Sequence, residues 1–249
     1  MLLSNFKNHL HKAAQYTLHF FFPRTCFSCG KDLPYDRQTP LCDVCENGLT
    51  LPGPLICQRC GVVLKSGGAH CYHCRGSKAD TYKCKLIRSA CNFNEFSGGL
   101  VHALKYHGAD YVAPYMGQLM ARRFSSLGEL ADVNLVIPVP LFKKREKKRG
   151  YNPSELLART FATQTGLALD STSLVRVRDT GSQTKLGRAA RLTNMTGAFT
   201  VKDPTVVKGK IILLIDDVAT TGSTLEACAQ ALRAAGAKRV LAYTFAREN

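Results

Sequence analysis

No stretch of this 249-residue chain is apolar for long enough to cross a bilayer, which excludes an ordinary helical span. Acidic residues are scarce: 18 Asp and Glu face 34 Lys and Arg, giving a formal charge of +16 at pH 7. That imbalance points to a polyanionic partner, either nucleic acid or an anionic membrane surface, with a basic soluble enzyme as the plainer alternative. The segment MLLSNFKNHLHKAAQYTLHFFFP lacks the uninterrupted apolar core of a secretion signal, because Lys7, Lys12 and three histidines break it. Residues 24 to 75 lack the aliphatic side chains for an ordinary core, so something other than hydrophobic burial must organise them.

What that segment has is cysteine. Of eleven in the chain, eight form four Cys-x-x-Cys pairs: Cys26/Cys29, Cys42/Cys45, Cys57/Cys60 and Cys71/Cys74. Two intervening residues suit a tight turn that points both sulfurs at one metal ion. With no sign of secretion, the pattern reads as zinc in a reduced, cytoplasmic setting rather than as disulfides. The spacers between successive pairs are 12, 11 and 10 residues. Sequential pairing gives two four-cysteine sites, a double zinc ribbon; pairing of first with third and second with fourth is equally compatible with the spacing. Cys84 and Cys91 match no pair and read as buried thiols.

Three segments are expected. Residues 1–23 predict an amphipathic helix with Ser4 as N-cap, Phe6, Leu10, Ala14, Leu18 and Phe21 on one face, and Pro23 closing it. Its basic face allows a peripheral position at a membrane, against packing on its own protein. Residues 24–83 form the ribbon module. Residues 84–249 alternate helical and strand patterns, which predicts an α/β domain whose parallel sheet is covered on both faces. Its expected helices include FSGGLVHALKYHG, YVAPYMGQLMARRF, NPSELLARTFATQTG (Asn152 as N-cap, Pro153 at the first helical position) and STLEACAQALRAAGA. Its expected strands are NLVIPVP, STSLVRVR, KIILLIDD and RVLAYTFAR. With metal organising one half and aliphatic burial the other, chelation is expected to unfold the ribbons and spare the α/β half.

The sharpest motif is IILLIDDVATTGST. A buried strand runs into Asp216 and Asp217, and then into a small, hydroxyl-rich turn at the head of a helix. Ligands of open α/β sheets sit beyond the C-terminal strand ends, and the N–H groups of such a turn bind anions. Gly222 permits close backbone approach, while Thr220, Thr221, Ser223 and Thr224 offer hydroxyl donors. The turn holds no lysine, so it is not a nucleotide-triphosphate P-loop. Two carboxylates would repel a bare polyphosphate but accept hydrogen bonds from vicinal ribose hydroxyls. The ligand indicated is a ribose bearing a 5′-phosphate.

The same stretch resembles the 5-phosphoribosyl-1-pyrophosphate (PRPP) signature of type I phosphoribosyltransferases. Over nearly its whole length the chain is similar to the ComF-type competence proteins. The matching landmarks are the four cysteine pairs, LKYHG, VIPVP, KKRGYN, SQTKLGRAARLTNMTGAF and the acidic strand end. One departure is Tyr151-Asn152-Pro153, where the family more often has Phe-Asn-Gln. The resemblance implies that Asp216 and Asp217 hold the ribose 2′ and 3′ hydroxyls. Residues Ala219, Thr220, Thr221, Gly222, Ser223 and Thr224 would hold the 5′-phosphate, with Mg accompanying PRPP. By position Lys185, Arg188 and Arg191 fit the mobile loop that in such enzymes closes over pyrophosphate, against the plainer reading of a surface loop with incidental charge. The resemblance further implies a role in natural transformation, bringing single-stranded DNA across the inner membrane with a helicase partner.

The run KKREKKRGYN supplies Lys143, Lys144, Arg145, Lys147, Lys148 and Arg149, with Tyr151 following. It reads as a strip that tracks a phosphate backbone beside a stacking ring, against the plainer reading of a solvated charge run. No general base is identifiable. His102 and His107 lie on one expected helix, and a lone histidine is more often structural. The leading reading is a DNA-uptake factor that binds single-stranded DNA and PRPP; the alternative is a phosphoribosyltransferase with an unidentified acceptor. Elemental analysis of the folded chain is expected to return two zinc ions, because eight thiolates close two four-coordinate sites. One ion or none would contradict the double ribbon.

Overall fold

The computed structural model describes residues 19, 21–76, 81–106, 108–180 and 194–248. The expected N-terminal helix lies almost wholly outside them, as do His107, Lys185, Arg188 and Arg191. The strands are β1 (Cys84–Asn92), β2 (Leu135–Pro138), β3 (Ala168–Leu169), β4 (Leu174–Arg176), β5 (Phe199–Val201), β6 (Ile211–Ala219) and β7 (Arg239–Arg247). The helices are α1 (Asp43–Asn47), α2 (Glu95–Tyr106), α3 (Ala113–Phe124), α4 (Lys143–Arg149), α5 (Pro153–Thr165), α6 (Pro204–Val207) and α7 (Ser223–Ala234).

Five strands form one parallel sheet in the order β1-β7-β6-β2-β3. The aliphatic run of β6 is continuous because both faces of the sheet are covered. Leu213 and Ile215 are buried with Phe161 of α5 and Met116 of α3, whereas Ile212 and Leu214 face Leu225 and Ala229 of α7. At the head of α5, the Asn152 side chain accepts from the Ser154 N–H and Pro153 occupies the first turn, as its sequence predicts. One expectation differs. Leu174–Arg176 leaves the parallel sheet and pairs antiparallel with Phe199–Val201, over α7. A strand pattern read from alternation specifies an extended segment, not its partner.

The order of the sheet leaves β1 at an edge, and the ribbon module covers it. The Ile87 N–H donates to the Arg59 carbonyl (2.7 Å) and the Asn92 N–H to that of Thr50 (3.0 Å). Gly61, at φ +70°, lies so close that an added Cβ would sit 2.7 Å from the Ile87 oxygen. The two ribbons straddle this edge. Cys26, Leu33, Leu41, Cys45 and Leu49 join the buried cluster of Leu100, Leu104 and Tyr115 on one face. Cys57, Cys60 and Cys74 join that of Ile87 and Leu225 on the other. The halves therefore share buried clusters and an edge, so the expectation that chelation spares the α/β half is replaced by one of joint destabilisation.

Candidate functional site

The eight paired cysteines gather into two groups, Cys26/Cys29/Cys42/Cys45 and Cys57/Cys60/Cys71/Cys74, with the sulfurs of each within 4.8 Å of one another. Pairing is thus sequential. A tetrahedral ion with Zn–S bonds of about 2.3 Å separates its sulfurs by roughly 3.8 Å. Cys29 and Cys42 Sγ lie 3.8 Å apart, and Cys60 and Cys71 Sγ 3.7 Å apart. Backbone N–H groups aim at the sulfurs, Cys42 N at Cys26 Sγ (3.4 Å) and Cys60 N at Cys57 Sγ (3.5 Å). Burial raises the Cys26 thiol, but the N–H groups of Cys29, Cys42 and Ser28 outweigh it and bring Cys26 down to about 6. These groups fit two structural zinc ions. Cys84, Cys91 and Cys228 are buried away from both, and burial pushes Cys84 and Cys91 up to about 12, keeping them as thiols.

Asp216 and Asp217 are still within β6, which runs on to Ala219. Asp217 is 6% exposed and pairs at 2.8 Å with Lys105 Nζ, delivered by the C-terminal turn of α2. Asp216 accepts from Ser154 Oγ (2.7 Å), two residues into α5, and from the Asp217 N–H (2.9 Å). Loss of solvent, then the neighbouring Asp217 charge, push Asp216 up to about 7, with the Ser154 hydroxyl and Lys105 opposing. Lys105 is desolvated too, yet Asp217 holds its ammonium above the ordinary value. The acid pair is therefore a three-element site, β6 with α2 and α5. Lys105 and Ser154 belong to it without having been singled out in the sequence. The only sign of Lys105 is its place in LKYHG.

In the turn, Gly222 adopts φ +76° and precedes the first residue of α7. Thr221 Oγ1 and Ser223 Oγ lie 2.9 Å apart, and the Ser223 N–H points at Thr221 Oγ1 (3.3 Å). Ser223 is buried, Thr221 and Thr224 are half-buried, and Thr220 is exposed. Hydroxyl groups and the N-terminus of a twelve-residue helix thus meet at one end of β6.

The basic run is itself the helix α4, with no buried residue and closed by Gly150 at φ +90°. Lys143, Lys144, Lys147 and Lys148 are its exposed members, while Arg145 pairs with Asp179 at 3.0 Å. Tyr151 is half-buried, and its hydroxyl donates to the Leu104 carbonyl (2.7 Å), so it anchors the end of α2. The freely exposed ring at this corner is Tyr106, 67% exposed, with the Arg149 guanidinium 5.7 Å from its centroid.

Two family models match separate parts of the chain. The double zinc ribbon domain model matches residues 17–75, and the phosphoribosyl transferase domain model matches residues 147–249. The DNA utilization protein YhgH of Salmonella typhimurium is 32% identical over 231 residues, spanning 90% of this chain and 97% of its own. Competence protein F of Haemophilus influenzae is 26% identical over 235 residues, spanning 91% and 98%. Competence protein ComFC of Bacillus subtilis is 29% identical over 215 residues, spanning 83% and 84%. The chain belongs to the ComF family. Its ComF architecture is a parallel phosphoribosyltransferase-type sheet with a cysteine-rich double ribbon, and among the described residues no helix is long and apolar enough to cross a membrane.

The raised Asp216 carboxyl gives this ComF chain a measurable pH signature. A carboxyl whose folded value lies above its ordinary one contributes stability that is present at low pH and is lost as pH rises through the folded value. Wild type is expected to lose about 1 kcal/mol through Asp216 between pH 6 and 8, and Asp216→Asn to show a flatter curve. Parallel urea-melt curves for the two proteins across that window would contradict the assignment.

Proposed function

We propose that this chain is a competence factor that handles single-stranded DNA and binds PRPP, assisting import of transforming DNA across the inner membrane. The observation that carries the reading is the placement of the acid pair and the hydroxyl turn at one sheet end. Its biological side rests on relatives of nearly matching length that are named for DNA utilization and competence. Asp216 and Asp217 accept from the ribose 2′ and 3′ hydroxyls, and residues 219 to 224 take the 5′-phosphate. The 2.8 Å contact with Lys105 Nζ fixes the Asp217 carboxylate in place, so its acceptor oxygens are preset for a diol. Lys185, Arg188 and Arg191 meet the pyrophosphate, and Mg screens its charge. The second reading, transfer of the phosphoribosyl group to an unidentified acceptor, is favoured by the same acid pair and by the match to a phosphoribosyl transferase domain.

The DNA side is assigned to α4. Residues 143, 144, 147 and 148 recur as adjacent pairs one helical turn apart, so their ammonium groups form one stripe that can follow successive phosphates. Tyr106, more exposed than Tyr151 and backed by Arg149, offers the ring for base stacking. A helicase and the uptake machinery at the inner membrane are the proposed partners, reached from the cytoplasmic side.

Titration of an oligonucleotide over a salt series tests this. Single strands give a slope of log affinity against log salt of about −0.7 per phosphate neutralised. Replacing Lys144, Lys147 and Lys148 by alanine is expected to flatten the slope by about 2. Tyr106→Ala is expected to weaken binding by about 1–3 kcal/mol with the slope unchanged, because stacking releases no counterions. Equal slopes for wild type and the triple variant would remove α4 from the DNA site.

A further inference from the structure

We propose that Arg247 is a positioning residue through which the second four-cysteine site sets the shape of the hydroxyl turn. Ligand binding at the turn then depends on metal at the second site and not on metal at the first. The ligand part of this inference rests on the reading of the turn as a phosphate site; the structural part does not.

The second site begins with the knuckle Cys57-Gln58-Arg59-Cys60, whose backbone direction is fixed when both cysteines close on one ion. Three consecutive carbonyls of that knuckle are engaged by the α/β half. Gln58 accepts from Arg88 (2.9 Å), Arg59 from the Ile87 N–H (2.7 Å), and Cys60 from Arg247 Nε (3.0 Å). Arg247, at the end of β7, is 2% exposed. Its Nη1 donates to the carbonyls of Ala219 (2.8 Å) and Thr220, the first two residues leading into the turn. A trans peptide is planar, with its C=O and N–H pointing opposite ways. Holding the 219 and 220 carbonyls toward Arg247 therefore turns the N–H groups of Thr220 and Thr221 away from it. One guanidinium thus ties the Thr220 carbonyl, and with it the direction of the Thr221 N–H, to the knuckle, while the Ala219 carbonyl is held by the Glu248 N–H (3.0 Å) as well.

The same knuckle reaches the far side of the turn. The Arg59 guanidinium pairs with Glu226 (3.3 Å), and both side chains are buried. Glu226 lies in the first turn of α7, where its N–H bonds to the Gly222 carbonyl (2.9 Å). Arg59 also donates to Cys74 Sγ (3.5 Å), a ligand position of the same metal site. The second site accordingly grips residues 219 to 220 through Arg247 and residue 226 through Arg59. A groove of about 460 Å³ beside the Arg247 contact is lined by Cys60, Cys71, Thr220, Thr221 and Arg247 among others. The first site faces elsewhere: Glu46 accepts from Tyr115 (3.0 Å), Leu49 from Arg123 (2.8 Å), and Phe27 lies against Gly99.

Coupling between two sites is reciprocal, which gives the inference a readout apart from any activity. Full-length protein loaded with zinc is mixed with a chromogenic chelator, with and without PRPP and Mg, and release of the two ions is followed. Cys29→Ser, which cripples the first site, assigns the phases. PRPP is expected to slow release from the second site by roughly five-fold or more and to leave the first unchanged. In Arg247→Lys that protection is expected to vanish, because one ammonium on a flexible stem cannot span three carbonyls. Amide exchange needs no ligand: Cys71→Ser is expected to speed exchange at residues 220 to 224 while β6 stays protected, and Cys29→Ser is not. PRPP binding that leaves both release phases untouched, or exchange at the turn that ignores Cys71→Ser, overturns the coupling. If wild type does not bind PRPP, the phosphate reading fails and the exchange comparison still decides the coupling. If Arg247→Lys does not fold, wild-type release and the cysteine variants decide it.

Discussion

A parallel sheet ends in strands with unpaired N–H and C=O groups, and such an edge has to be covered or it invites association. Here the cover over β1 is a module with too few aliphatic residues for an ordinary core of its own. Its shape comes from eight thiolates closing on two ions, and its adhesion comes from backbone donors and acceptors along the strand. The consequence is mutual dependence. The sheet edge is covered by the ribbons, and the ribbons bury Leu33, Leu41 and Leu49 in a cluster shared with α2 and α3. Contact with the hydroxyl turn runs through the second four-cysteine site, by way of Arg59 on Glu226 and Arg247 on the carbonyls of Ala219 and Thr220.

The acid pair shows what two adjacent carboxylates at a strand end require. Loss of solvent, then the neighbouring Asp217 charge, push the Asp216 carboxyl up to about 7. Lys105 offsets one charge and the Ser154 hydroxyl bonds the other carboxylate. Removing either partner leaves a desolvated carboxylate without its compensation, a larger perturbation than an exposed ion pair would suffer.

Local rules carried much of this structure. Four Cys-x-x-Cys pairs announced two metal sites, and Asn152-Pro153 announced a helix start, because each depends on neighbours only a few residues away. IILLIDD was readable as a buried strand because both of its faces are covered. Zinc pairing was not readable, since spacers of similar length allow two topologies. Nor were Lys105–Asp217, Arg59–Glu226 or Arg247–Cys60, whose partners lie over a hundred residues apart and whose geometry exists only after the sheet is assembled. The strand Leu174–Arg176 was recognised, but its departure to a separate pair was not, because alternation does not encode a partner. Tyr151 looked like a free ring from its basic neighbours; the Leu104 carbonyl that ties it down is distant in sequence.

One end of β6 is proposed as a single site for a phosphorylated ribose, with the acids on the hydroxyls and the turn on the phosphate. Calorimetric titration of PRPP with Mg into wild type and Asp217→Ala tests it most directly. Wild type is expected to show saturable one-site binding, weakened by about 1–3 kcal/mol in the variant through lost hydrogen bonds to a charged group. Equal affinity in the two proteins, or no binding by wild type, would contradict it.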